Sequence, residues 1–451
     1  MIQPTTAARL SRRLAAAQSE ARLPSIVGGL IRGGELIWSD AHGTIDGRAN
    51  GHEVDEHTQY RIGSITKTLV AVVVMRLRDE GALDLADPFE RHVPGTPIGH
   101  VTIAQLLSHC SGLKAETDGP WWERTPGDQW RALAEQLDLR HPPGQRFHYS
   151  NVGYAALGEL IARLRGSSWS RAVSEELLEP LGMDRTTKRP VAPHAHGLAV
   201  HPFADVVLAE PEHDAGAMAP AGQLWSTLRD LARWAGFLAG HTQGLLSPDT
   251  LAEMRVPMVI DDIPGVAWTA AHGLGVQVWN IDGQRFVGHG GSMPGFLATV
   301  RVDVESGDGV VLFTNSTTGL PRDLASGLLA EVAQAEPTPI QPWHVTQLPT
   351  GTLDLVGPWY WGPAPFDVRA GDDDLLRLAP REGTSRASRF RPVGRDRWIG
   401  LDGYFAGEPL VVIRRSDGSV SHLDLASFRF TRTPYAPDAD VPGGVDPAGW
   451  H

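Results

Sequence analysis

The segment Arg61-Ile62-Gly63-Ser64-Ile65-Thr66-Lys67-Thr68 runs directly into Leu69-Val70-Ala71-Val72-Val73-Val74-Met75, and its reading decides the fold. A turn-permitting glycine leads into Ser64, and a helical pattern then continues to Asp79-Glu80 and stops at Gly81. Residues three apart share a helix face, so Lys67 stands one turn from Ser64, with amine and hydroxyl in hydrogen-bond reach. The helix is apolar nearly all round, as a buried helix is. A buried lysine near a helix N-terminus loses hydration and feels the positive dipole end, so its pKa should fall. Such an amine can serve as base to a serine that does not ionise unaided. A chance serine and lysine on one helix is the competing explanation.

Ser111-Gly112-Leu113-Lys114 repeats the spacing, but it contains a helix-breaking glycine and runs into polar residues, so no buried helix is expected there. The only lysines are Lys67, Lys114 and Lys188, arginine being used almost everywhere else. A lysine kept inside an apolar helix of such a chain points to an amine needed as a base rather than as a charge.

Working outward, 451 residues suffice for two domains, and the turn formers are generous at Gly 50 and Pro 34. A net charge of −13 argues against nucleic acid or an anionic membrane as partner. The single Cys110 rules out an intramolecular disulfide and reads as a small core residue. No stretch has the length of a membrane span, and residues 7–22 read as an amphipathic helix rather than a signal peptide. The expected location is the cytoplasm.

Residues 26–31 and 35–39 flank Arg32-Gly33-Gly34, a hairpin signal. Helices are expected over 101–109, 153–164, 227–238 and 324–333. Between 273 and 315 the period changes to two, predicting antiparallel strands at 274–279, 285–288, 296–302 and 310–313. Trp-rich Pro120-Trp121-Trp122-Glu123 reads as a loop, either lining a pocket or packed on the surface. The pattern divides the chain into an α+β domain (1–335), a proline-rich linker (336–350) and an all-β barrel or sandwich (351–451).

Two further stretches are candidates to complete a site around Ser64. Tyr149 and Asn151 alternate just before a helix, although a Tyr/Asn turn at a helix start is common. A phenol beside a lysine ammonium should have a lowered pKa and pass a proton between serine and leaving group. Asn151 offers donor and acceptor to Lys67 and to a substrate amide. The other stretch is Gly288-His289-Gly290-Gly291-Ser292-Met293-Pro294-Gly295. Glycines in a strand allow close backbone approach, so the Ser292 N–H can join the Ser64 N–H in binding an oxyanion. His289 would face the pocket as a donor, or be merely packed. No zinc spacing accompanies it, and no cofactor is expected.

Taken together, Ser64-x-x-Lys67, Tyr149-x-Asn151 and His289-x-Gly291 resemble, in order and spacing, the three motifs of the penicillin-recognising serine enzymes, in particular the class C β-lactamase-like branch. The connecting text over 101–109, Pro143-Gly144 and Pro180-Leu181-Gly182-Met183 resembles it too, and the likeness covers about residues 20 to 335. It implies an antiparallel sheet flanked by helices, with an all-helical subdomain inserted after the Ser64 helix. It also implies an acyl-enzyme mechanism: Ser64 attacks a carbonyl, Lys67 and Tyr149 pass the proton, and two backbone N–H groups hold the oxyanion. A histidine where the third motif usually has lysine weakens the case for β-lactams. His-x-Gly is similar instead to family esterases, D-stereospecific aminopeptidases and penicillin-binding-protein-type thioesterases, the last two with lipocalin-like C-terminal domains. The expectation drawn is a thioesterase that takes a peptidyl group from a carrier-protein thioester and cyclises it. An esterase or D-amino-acid amidohydrolase is the alternative, and a non-catalytic binding scaffold the remote one.

Overall fold

The structure is a computed structural model that describes residues 2–337, 342–371 and 374–435. The chain divides into two compact units, Met1–Pro339 and Ile340–His451.

In the first unit, helix α1 (Pro4–Glu20) leads into the hairpin of β1 (Ser25–Arg32) and β2 (Glu35–Gly43). Ser64 lies in a 3-10 turn (Gly63–Ile65) that opens into α2 (Thr66–Asp79). The inserted segment carries a short capped helix (Ile103–Leu107), α3 (Asn151–Arg165) and a two-stranded hairpin joined by long irregular stretches, so it is not the all-helical subdomain expected. After α4 (Leu228–Ala239) come β3 (Val259–Ile260), β4 (Ala270–His272), β5 (Gln277–Ile281), β6 (Gln284–Met293), β7 (Phe296–Asp303), β8 (Gly309–Thr314) and α5 (Leu324–Ala335).

The eight strands form one antiparallel sheet in the order β2-β1-β8-β7-β6-β5-β4-β3. Alternation along the central strands sorts the core. Ile26 and Leu30 of β1, with Val310 and Leu312 of β8, pack against Leu10, Leu14 and Leu328 of α1 and α5. Val27, Ile31, Val311 and Phe313 point the other way, into the core that holds α2, α3 and α4. The first and last strands of the motif-bearing region meet because β1 pairs with β8, matching Val27 to Phe313.

The second unit is an up-and-down antiparallel sheet of β9 (Gly357–Trp361), β10 (Ala364–Ala370), β11 (Leu376–Pro380), β12 (Ser388–Gly394), β13 (Arg397–Gly400), β14 (Pro409–Arg414), β15 (Val420–Leu425) and β16 (Phe428–Phe430). It closes into a barrel: Tyr360 and Thr431 exchange backbone N–H···O bonds of 2.8 and 2.9 Å. Trp359, Phe366, Phe390, Phe405 and Phe430 fill its interior. This decides for barrel over sandwich. The linker expected over 336–350 falls partly outside the described residues, and 342–349 carry neither helix nor strand. Among the described residues no helix is long and apolar enough to cross a membrane.

Candidate active site

From Thr58 to Met75 every residue is buried except Ser64, which is half-exposed. A buried helix with one accessible hydroxyl at its mouth follows directly from the apolar run. Lys67 Nζ donates to Ser64 Oγ at 2.9 Å and to the Ala221 carbonyl at 2.6 Å. The amine also lies over two phenol rings, 5.0 Å from the centroid of Tyr149 and 5.6 Å from that of Tyr154. Burial brings the lysine down to about 7, although the Glu116 and Glu123 carboxylates pull it upward. Near neutral pH a large share of Lys67 is therefore a free amine.

Tyr149 stands against Ser64, stacked on His109 with ring centroids 4.1 Å apart. The lowered phenol pKa expected beside Lys67 does not hold. Burial pushes Tyr149 well above the usual phenol range, Ser64 draws it back only in part, and Glu116 and Glu123 push it further up. Loss of hydration outweighs the hydrogen bond to Ser64, so the phenol keeps its proton and Lys67 is the group with a lone pair to offer.

Asn151 also departs from expectation. Its Nδ2 donates to Glu116 Oε1 at 2.7 Å, and Lys67 uses the Ala221 carbonyl instead. Trp122 Nε1 donates to the other Glu116 oxygen at 2.6 Å, so both oxygens take neutral donors. Glu123, held above the usual carboxylate range by burial, accepts from Trp121 Nε1 at 2.7 Å. Of the two loop tryptophans, Trp122 is buried and Trp121 exposed.

The third stretch lies on β6, which pairs with β7 along its length but with β5 only as far as Gly288, opposite Gln277. The free edge beyond is where the Ser64 turn docks. Gly63 adopts φ +53°, and a Cβ there would stand 2.5 Å from the Ser292 nitrogen. This approach brings the Ser64 and Ser292 backbones together, the arrangement an oxyanion hole needs. Gly290 donates its N–H to Gln277 Oε1 at 3.0 Å.

His289 is buried, with Nδ1 2.5 Å from the Gly290 carbonyl; Nδ1 therefore carries the proton and Nε2 is an acceptor rather than the donor expected. Burial first, then Lys67, lowers its pKa to about 3. His109 and His272 were not among the expected residues. One ring nitrogen from each of His109, His272 and His289 lies within 4.8 Å of the others, the only three-residue donor set of this kind among the described residues. It suits a metal poorly: His109 Nδ1 accepts the Ser150 N–H at 3.1 Å, so its other nitrogen carries the proton. Burial lowers His272 to about 4 and holds His109 well below the usual imidazole range, so the trio is uncharged near neutral pH.

The decoy pair is set apart. Ser111 and Lys114 lie outside any helix, and Lys114 is bound to Asp118 at 2.7 Å. Cys110 is half-exposed rather than a core residue, 3.1 Å from Ser108 Oγ.

Comparison with known proteins agrees with this geometry. The β-lactamase family model matches residues 10–334, and a domain of unknown function, DUF7586, matches 348–432. Human β-lactamase-like 1 is 28% identical over 397 residues, covering 82% of this chain and 76% of that protein. Penicillin-binding protein 4 of Amycolatopsis lactamdurans is 28% identical over 335 residues, covering 65% and 84%. A D-stereospecific amidohydrolase from Streptomyces superposes with TM-score 0.60 and 26% identity, over 72% of this chain and 98% of that one. The chain belongs to the β-lactamase/penicillin-binding-protein-like family of serine hydrolases.

Proposed function

We propose that the protein is an acyl-enzyme amidohydrolase acting on D-amino-acid amides or short peptides with a free N-terminal amine. Ser64 is the nucleophile and free-amine Lys67 takes its proton; neutral Tyr149 hands its proton to the leaving amine and is reprotonated by the Lys67 ammonium, and water then takes the acyl group from Ser64. The Ser64 and Ser292 N–H groups hold the oxyanion beside Gly290 and Gly291, with Asn151 and His289 on the substrate's flanks. The observation that carries the substrate class is the charge around the serine. His109, His272 and His289 are uncharged, and the Glu116 carboxyl is met only by neutral N–H donors. A carboxylate whose hydrogen bonds come only from neutral groups, and whose cationic neighbour Lys67 is in large part a free amine, favours a substrate ammonium and repels a substrate carboxylate. Likeness to a D-stereospecific amidohydrolase supports the D configuration.

A second reading, the peptide-cyclising thioesterase fed by a carrier-protein thioester, is favoured by the burial of the residues on either side of Ser64, which limits water's approach to an acyl-enzyme. One panel tests both: D- and L-phenylalaninamide, N-acetyl-D-phenylalaninamide, and a peptidyl thioester ending in a D-residue. The amidohydrolase reading expects turnover of D-phenylalaninamide and little of its acetylated or L forms. Cyclic product from the thioester with no amide turnover replaces it by the second reading, and turnover of none of the four rejects both.

A further inference from the structure

Gln223 follows the run Gly216–Gly222 and is buried, yet none of its side-chain hydrogen bonds is to Ser64 or Lys67. Its amide is fully used. Oε1 accepts from Arg61 Nη2 and from the Ala215 N–H, both at 3.0 Å, while Nε2 donates to the Lys188 carbonyl at 3.1 Å and the His213 carbonyl at 3.2 Å. Two residues earlier, the Ala221 carbonyl holds the Lys67 amine at 2.6 Å. The next residue, Leu224, is tied back to the Ser64 helix: its carbonyl accepts the Ile62 N–H at 2.8 Å, and its N–H donates to Thr66 Oγ1 at 3.3 Å. The short segment 221–224 is thus braced on one side by the strand and helix carrying Ser64, and on the other by Gln223.

The brace extends to the loop bearing Glu116. His213, whose carbonyl Gln223 holds, approaches the Trp122 carbonyl through Nε2 at 2.9 Å, and Trp122 donates to Glu116. One connected line of contacts therefore joins Glu116 to the carbonyl that aims Lys67. An amide is the one side chain with two acceptor and two donor positions to close all four of these bonds.

We propose that Gln223 is a positioning residue, fixing the Ala221 carbonyl so that the Lys67 amine is aimed at Ser64. The inference rests on the reading of Lys67 as the base. Gln223→Met keeps length and burial but makes none of the four bonds, and Gln223→Glu keeps the two to Arg61 and Ala215. With a p-nitrophenyl ester as substrate, Gln223→Met should lower kcat by about 10- to 100-fold with KM changed little, because a misaimed base slows chemistry more than binding. The acid limb of its kcat profile should move to lower pH, since a displaced carbonyl no longer favours the ammonium form. Gln223→Glu should lose less. A Gln223→Met protein with wild-type kcat and limb, lowered only in Tm, overturns the proposal. Should Gln223→Met not fold, Gln223→Glu decides on its own: a lowered kcat with a shifted limb supports the proposal, and an unchanged profile rejects it. A wild-type enzyme without a limb near pH 7 refutes the Lys67 base itself, whereas a normal limb that the variants leave in place rejects the role of Gln223 alone.

Discussion

A Cβ placed on Gly291 would stand 2.0 Å from the Ile62 carbonyl oxygen. No side chain fits that gap, so β6 and the turn before Ser64 touch backbone to backbone only because residue 291 is glycine. Gly291→Ala must push the strand from the turn, taking the Ser292 N–H with it. Loss of one oxyanion donor costs about 10²- to 10³-fold in kcat. The expected outcome is a drop of that order with a folded protein by circular dichroism; an alanine variant with wild-type kcat would remove Ser292 from the site.

Lys67 predicts the pH profile. With its amine brought to about 7, kcat/KM should rise through an acid limb centred near that value. Burial holds Tyr149 above the ordinary phenol range, so activity on an uncharged ester, which has no ammonium to lose, should stay level on the alkaline side to about pH 10. A fall in activity between pH 8 and 9 would contradict this assignment.

The same lysine costs stability. Its amine is held at about 7 when folded, against the usual 10.5 when unfolded. Between those values the unfolded chain binds more protons, so wild-type stability rises with pH across that window. Lys67→Met, which does not titrate, should be the more stable protein at pH 7 by on the order of a few kcal/mol. The gap should narrow as pH approaches 10, as urea titrations at pH 7 and 9.5 can measure.

Tyr149→Phe keeps the stack on His109 and removes only the hydroxyl. A missing proton carrier typically costs about 10²- to 10⁴-fold in kcat. Tm should hold within a few degrees, and a variant that loses stability rather than rate would make Tyr149 a packing residue.

Glu116→Gln removes the charge and keeps a single acceptor oxygen, so one of the Trp122 and Asn151 N–H groups loses its partner. Turnover of D-phenylalaninamide should fall while that of an uncharged ester persists; equal losses on both would detach Glu116 from ammonium recognition.

The sequence exposes the parts of this site that are local. Ser64 and Lys67 are three apart on an apolar helix, and spacing alone places amine beside hydroxyl. The glycines around His289 foretell the close approach of β6 to the Ser64 turn. What the sequence conceals is the environment supplied from afar. The Asn151 amide meets Glu116, 35 residues earlier, and His109 and His272 join His289 from separate elements. The direction of the Tyr149 shift depends on how much water that enclosure excludes, which no spacing records. Gln223 reads as an ordinary residue before a helix until four distant groups converge on it.

The most direct test of the central claim is the rate of covalent labelling by a fluorophosphonate probe, followed by intact mass and peptide mapping across pH 5 to 10. A single adduct on Ser64 is expected, forming at a rate that rises with a midpoint near pH 7 and is lost in Lys67→Met. Labelling at another residue, or a rate indifferent to pH and to the loss of Lys67, would contradict it.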